Sequence, residues 1–287
     1  MNDIRYFMDT PELPSSELVA IGGVPLAPVS IDVATYPDSI PMVLHQTVPR
    51  TSILVVRPKT LTAFFAAMFL ADSWNDRGVA LPTLLLPNVP GARQDRLNTS
   101  GDYLFTAKSI AREINLRKFP KVVVIDPHSE VISGLIDRCE VVHQEFSVLE
   151  AAKEPIPYIG VISPDAGAEK RATRFAKALK VPLIHAWKNR DVQTGRLSGF
   201  GAQPLEAGHY LVADDLCDGG GTFIGLHGEL EKQGATADLY VTHGLFTQGT
   251  GPLLQRFKNV ITTDTTLNAK DGASVIPICA AYGRYHG

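Results

Sequence analysis

Residues 209–234, HYLVADDLCDGGGTFIGLHGELEKQG, gather the side chains best suited to chemistry in this sequence. An apolar run predicts a strand that ends in two acids, Asp214 and Asp215. A third acid, Asp218, precedes Gly219, Gly220, Gly221 and Thr222, and a helix is expected over 222–233. In parallel sheets, ligands sit beyond the carboxyl ends of strands, where this loop belongs. Three glycines let the backbone come close to an anion and turn its N–H groups toward it. The helix N-terminus adds partial positive charge, and Thr222 adds a hydroxyl, so a phosphate suits the loop. The acids repel that phosphate, but they can accept hydrogen bonds from sugar hydroxyls or hold a magnesium ion. One loop thus has grips for both ends of a phosphorylated sugar. Glycine-rich turns with solvated acids are common, whereas paired acids followed by D-G-G-G-T are much rarer. The spacing matches neither the Walker loop nor the dinucleotide fingerprint.

Other candidates also follow apolar runs. LPNVPGARQDR (86–96) carries Arg93, Gln94 and Arg96. Guanidinium groups make multidentate contacts to phosphate, although two exposed arginines alone read as surface ion-pair partners. His128 lies just past a strand in IDPHSE (125–130), and Asp165 follows YIGVIS (158–163). Either residue, taken singly, is ordinarily just solvated. Lys188 and Arg190 open the segment 188–203, which is rich in Gly, Asn, Gln and Ser and lacks apolar periodicity. That composition is expected of a mobile lid rather than a strand. Cys217, inside the acid-glycine loop, reads as a small packed residue.

The elements that must position these groups repeat one pattern: an apolar run, a turn, then helical periodicity. Strands are expected at 51–58, 80–87, 121–126, 158–163, 181–187, 209–214 and 237–242. Most are apolar nearly throughout, as suits strands covered on both faces. Helices are expected at 61–77, 103–117, 167–180 and 222–233. The first places Leu61, Phe64, Phe65, Met68 and Phe69 on one face and stops at Gly78; the last ends at Gly234. Strand–helix alternation predicts a parallel α/β architecture. The stretch 143–160, with Pro155 and Pro157, is the best boundary, giving domains 1–146 and 147–287. VVVIDPHSEVISGLID and YLVADDLCDGGGTFIG both run strand, acid, loop, helix, a weak echo between the halves.

Composition narrows the classes. The 287 residues are 45% hydrophobic and 20% charged, which excludes disordered, collagen-like and coiled-coil chains. A net charge of −3 gives no bulk attraction for nucleic acid. Three cysteines are too few for a disulfide scaffold or a four-ligand zinc site and indicate a reducing compartment. The first twenty residues hold acids and prolines where a signal peptide needs an apolar run. LTAFFAAMFLADSW is too short to span a bilayer. A soluble, cytoplasmic protein with no nucleic-acid or membrane partner is expected.

VADDLCDGGGTF resembles the phosphoribosyl-pyrophosphate loop of type I phosphoribosyltransferases and ribose-phosphate pyrophosphokinases. Four more segments resemble the pyrophosphokinases alone: LPNVPGARQDR, IDPHSE, VISPDAGAEKRA (161–172) and YVTHGLF (240–246). Five segments in order, spread over most of residues 80–250, make the resemblance specific.

The resemblance implies two tandem type I phosphoribosyltransferase-like domains, each a parallel sheet flanked by helices. The N-terminal domain would be the ATP side and the C-terminal domain the ribose-phosphate side. The implied reaction transfers the β,γ-diphosphoryl group of ATP to the C1 hydroxyl of ribose 5-phosphate. On that resemblance Arg93, Gln94, Arg96 and His128 contact ATP. His128 and Asp165 hold Mg2+. Lys188 and Arg190 are the catalytic pair of a flexible loop. Asp214, Asp215, Asp218 and the 219–222 backbone bind the ribose phosphate. An F-S-D-G-E hairpin that reaches a neighbouring subunit's ATP has its nearest match in TYPDSIPMV. Tyr36 and Asp38 fit that match, Ile40 replaces the glutamate, and a homo-oligomer with a shared ATP site is implied.

This sequence departs from the family where D-T-G-G-T becomes D-G-G-G-T at 218–222, losing a hydroxyl at Gly219. The first fifty residues match poorly, and the chain ends at AAYGRYHG without the family's final helix. Such changes admit a pyrophosphokinase acting on a larger ribose 5-phosphate derivative such as ADP-ribose. The same residues also admit a phosphoribosyltransferase or a non-catalytic binding subunit.

Overall fold

The computed structural model describes residues 3–7, 32–35, 40–44, 51–97, 104–145, 158–190, 197–266 and 271–277. The chain divides into two compact units. One is built mainly from Met1–His143, with Thr265–Leu267 and Ile278–Gly287. The other is built from Gln144–Asp264 with Asn268–Pro277.

In the first unit the elements run β1 (Asp3–Phe7), β2 (Asp32–Thr35), β3 (Pro41–Leu44), β4 (Thr51–Val56), α1 (Leu61–Asp76), β5 (Thr83–Leu85), α2 (Thr106–Leu116), β6 (Val122–Ile125), α3 (Glu130–Leu135) and β7 (Cys139–Val142). Strands β2 and β3 form a separate antiparallel pair. The others form a parallel sheet in the order β1-β4-β5-β6-β7. Leu54, Val55 and Val56 of β4 and all four residues of β6 are buried, so these strands present apolar side chains on both faces, as their unbroken apolar runs require. Thr60 caps α1, its hydroxyl accepting the Ala63 N–H at 3.1 Å, and Gly78 ends the helix at φ +71°.

The buried face of α1 differs from the one the large residues predict. Phe64 and Met68 are buried, but Leu61 and Phe69 are 53% and 43% exposed. Ala63, Ala66, Ala67 and Ala71 take their place, together with Leu70 and Trp74. Small side chains let the helix lie close to the sheet, and close packing rewards that approach more than it rewards bulk.

The second unit holds β8 (Gly160–Ser163), α4 (Glu169–Leu179), β9 (Leu183–Arg190), β10 (Leu197–Ala202), β11 (His209–Cys217), α5 (Gly221–Lys232), β12 (Thr236–Gly244), α6 (Gly251–Leu254), β13 (Val260–Thr263) and β14 (Ser274–Ile276). Their sheet runs β10-β9-β8-β11-β12-β13-β14 and is parallel apart from the β9–β10 pair. The period-2 alternation of strands splits its core in two. Val161, Leu211, Ala213 and Tyr240 pack with Ala172, Phe175 and Ala176 of α4. Ile162, Val212, Leu239 and Val241 pack with Phe223, Leu226 and Leu230 of α5. From β8 the chain winds outward to β9, then returns to β11 on the other side of β8 and winds toward β12. The order therefore reverses between β8 and β11, the crevice where open α/β sheets bind ligands.

Two expectations are corrected here. The polar segment 188–203 is strand at 188–190 and 197–202: β9 runs through Arg190, and β10 pairs with it antiparallel, Leu197 opposite Arg190 and Ala202 opposite Ala186. An edge hairpin can satisfy its backbone while keeping polar side chains, so composition alone misleads there. Strand β11 also continues past Asp214 and Asp215 to Cys217, because β12 extends the ladder to Gly244.

Candidate active site

At the switch point of the second unit, three loops converge. Asp165 follows β8. Its Oδ1 accepts the N–H groups of Gly167 at 2.8 Å and Ala168 at 3.1 Å, which fixes the carboxylate. Its Oδ2 lies 2.6 Å from Lys188 Nζ, which also donates to Thr222 Oγ1 at 2.8 Å. Lys188 is delivered by β9 and Thr222 by the first turn of α5, so one ammonium joins the β8 loop to the glycine loop. Arg190 closes β9.

Asp214 and Asp215 share a second cation. Arg171, on the first turn of α4 and 7% exposed, sets Nη1 3.5 Å from Asp214 Oδ1 and 3.7 Å from Asp215 Oδ1. Asp214 Oδ1 also accepts the Asp215 N–H at 2.8 Å. Burial pushes the Asp214 carboxyl well above the usual range, and the charge of Asp215 pushes the same way. The Arg171 guanidinium pulls it back. Burial, with Asp214 and Asp218 nearby, raises the Cys217 thiol to about 12, so Cys217 carries no thiolate nucleophile at neutral pH.

Asp218 accepts a hydrogen bond from Thr247 Oγ1 at 2.7 Å, and its carbonyl accepts the Thr247 N–H at 3.1 Å. Gly220 precedes α5 with φ +78°, where L side chains are strained, and a Cβ there would approach Leu253 Cδ2 to 3.3 Å. As the N-cap it offers no side chain to the first N–H groups of α5. These donors and the Thr222 hydroxyl make an anion cradle on the end of a twelve-residue helix. The expected glycine loop is thus brought together with Asp165 and Lys188.

The first unit holds the remaining candidates on loops after its adjacent strands β5 and β6. Asp95 is 3% exposed and grips the 77% exposed Arg96 side chain with both oxygens, Nε to Oδ1 at 2.8 Å and Nη2 to Oδ2 at 3.2 Å. That guanidinium holds the Asp95 carboxyl below its ordinary range, helped by Ser129 and by nearby His128. Arg93 and His128 are exposed. Gln94 is committed locally: its Oε1 accepts the Thr106 hydroxyl, and its carbonyl accepts the Ala107 N–H at 3.1 Å, pinning the loop to the start of α2. His128 follows Asp126, a buried residue at φ +41° that turns the chain out of β6. Ile40 is exposed, and Tyr36 and Asp38 lie outside the described residues.

Sequence reasoning missed Arg171, Thr247 and Asp95 as members of these sites. Arg171 stands in the quoted VISPDAGAEKRA segment, where an arginine one turn into a helix that packs on the sheet was a readable signal. Thr247 lies in no motif and is found only by the register of β11 on β12.

Comparison with known proteins now bears on the fold and the site. No family model matches the chain. A stretch of 208 residues, 68% of the chain, is 28% identical to a ribose-phosphate pyrophosphokinase of Corynebacterium glutamicum and covers 63% of that protein. A stretch of 217 residues, 70% of the chain, is 28% identical to the ribose-phosphate pyrophosphokinase of Corynebacterium efficiens and covers 66% of it. The chain thus spans a little under two thirds of the length of these curated relatives. Among solved structures, the phosphoribosylpyrophosphate synthetase of Mycobacterium smegmatis shares the fold with a TM-score of 0.79, at 20% identity over 99% of this chain and 97% of that one. In sequence this chain is similar to ribose-phosphate pyrophosphokinases, and it shares the fold of a phosphoribosylpyrophosphate synthetase.

Proposed function

We propose that this chain is a ribose-phosphate pyrophosphokinase that uses ATP and ribose 5-phosphate, with the unit before residue 147 serving ATP and the unit after it serving the sugar. The C1 hydroxyl oxygen of the sugar attacks the β-phosphorus of ATP and gives up its proton to solvent, the bond from the β-phosphorus to the α,β-bridging oxygen breaks, and AMP leaves with that oxygen. The carrying observation is the junction at the switch point, where Lys188 spans Asp165 and Thr222 beside the glycine cradle.

The roles follow from the groups. The N–H donors of 220–222 and the Thr222 hydroxyl hold the 5-phosphate. Asp214, Asp215 and Asp218 accept from the ribose hydroxyls and fix the C1 oxygen. Lys188, with Arg190, turns its charge to the transferring diphosphoryl group as negative charge develops there. Arg93 and Arg96 bind the triphosphate while Gln94 anchors their loop, and Tyr36 and Asp38 reach the ATP of a neighbouring copy in a cytoplasmic homo-oligomer.

Magnesium fits the donor set at Asp165, a hard carboxylate whose outer oxygen already draws a cation to 2.6 Å. Asp165 in the second unit and His128 in the first are each candidate ligands, and a bound ion would neutralise triphosphate charge. AMP release from ATP, magnesium and ribose 5-phosphate is the test, and a chain that releases none with this acceptor lacks the proposed activity.

A second acceptor is favoured by one observation. A Cβ at Gly219 would meet nothing nearer than Gln248 Cγ at 3.6 Å, so the cradle is open where relatives of the D-T-G-G-T type carry a threonine. An acceptor extended beyond the 5-phosphate, such as ADP-ribose, suits that opening. AMP release with ADP-ribose and none with ribose 5-phosphate would select it.

A further inference from the structure

We infer that Arg171 is a positioning residue: its buried guanidinium keeps Asp214 and Asp215 together as acceptors for the vicinal hydroxyls of the sugar. This rests on the ribose-phosphate reading above and names what holds that subsite in shape. Neighbouring carboxylates on a strand repel each other, and one of a buried pair ordinarily takes up a proton. A protonated carboxyl donates with that oxygen and can no longer accept a sugar hydroxyl there. The cure must be a cation that is itself buried and reaches both acids.

Arg171 meets each requirement. It is 7% exposed and rises from the first turn of α4, across the sheet crevice from the loop of β11, and one nitrogen faces both carboxylates. Its distances, 3.5 and 3.7 Å, are those of charge compensation rather than of short hydrogen bonds. The 3.5 Å contact to Asp214 Oδ1 is a hydrogen bond at its outer limit. Lys188 is tied to Asp165 and Thr222, so a different cation serves the acid pair. Burial of Asp214 and the charge of Asp215 still hold its carboxyl above the usual range, and Arg171 is the cation that opposes that rise.

The test compares Arg171→Met and Arg171→Lys with the unaltered chain in AMP release, varying ribose 5-phosphate and ATP separately. Arg171→Met should raise KM for ribose 5-phosphate about tenfold or more, from loss of charge-assisted contacts, while KM for ATP and kcat change less than about threefold. Arg171→Lys, which keeps the charge, should recover most of the loss. Equal changes in both KM values, no change in either, or no recovery with lysine would overturn the inference. If Arg171→Met does not fold, the double variant Arg171→Met with Asp214→Asn removes the unbalanced charge and should fold. A double variant that stays unfolded shows that Arg171 is needed for packing instead and overturns the inference. Failure of the unaltered chain to release AMP would instead sink the reading of the whole site, so the two failures are distinct.

Discussion

The loops of the second unit and those of the first handle charge in opposite ways. Around the glycine cradle the described charged groups interlock: Lys188 with Asp165 and Thr222, Arg171 with Asp214 and Asp215, Thr247 with Asp218. In the first unit the buried member is an anion, Asp95, and its cation Arg96 projects into solvent. Arg93 and His128 are exposed as well. On the proposed reading, a sugar that must present one oxygen would meet a preorganised frame, which spares reorganisation on binding. On the same reading, a flexible polyanion would meet cations on a surface loop that is anchored at its base by Gln94 and Asp95. Rigidity is concentrated where orientation matters, and reach is left where charge matters.

Breaking that contrast should give unequal losses. Lys188→Ala removes the one group that links two loops at the reacting end, and kcat for AMP release should fall about 100- to 1,000-fold with both substrates saturating. A loss no greater than that of a surface arginine would erase the distinction drawn above. Arg93→Ala should act mainly on binding, raising KM for ATP about 10- to 100-fold while KM for ribose 5-phosphate stays within about twofold. Near-normal turnover in that variant would favour a phosphoribosyltransferase, in which the first unit's arginines have no phosphate to hold.

Gly219→Thr sharpens the comparison from the other side. Its φ is not in the left-handed region and its Cβ has room, so the variant should fold normally and bind ribose 5-phosphate about threefold more tightly through one added hydroxyl. Weaker turnover of ADP-ribose in the same variant would mark the opening as the acceptor's path. The smallest effect concerns acid stability. Because Arg96 holds the Asp95 carboxyl below its ordinary range, Asp95 stabilises the fold above pH about 4, and the contribution is lost as pH falls through its lowered value. Unfolding followed against pH should show Arg96→Ala losing stability relative to the unaltered chain above that range and converging with it in stronger acid.

Much of the fold was legible because apolar runs such as VVVID and YIGVIS can only be strands covered on both faces, and the glycines at 78 and 234 end helices by adopting positive φ. The acid-glycine loop was legible for the same local reason. What escaped were features set by distant partners. Residues 188–190 and 197–202 are strand because β9 and β10 pair, which their polar composition conceals. The buried face of α1 is decided by how closely alanines let it approach the sheet rather than by where its largest side chains fall. Thr247 enters the site through tertiary register, and no spacing within its own segment announces that. Arg93, Gln94, Arg96 and His128 were singled out by motif, yet Gln94 proves to be occupied with Thr106, a contact made across twelve positions of chain.

The bridge made by Lys188 has a thermodynamic consequence. With its ammonium seated on a carboxylate and a hydroxyl, the crevice is electrically settled by the chain's own groups. A lone dication arriving at Asp165 would have to evict that ammonium from its carboxylate, and a lone phosphate would draw it away from a carboxylate left bare. When both visitors come together, each supplies what the other's arrival strips away, so the pair should load far more readily than the product of their separate affinities.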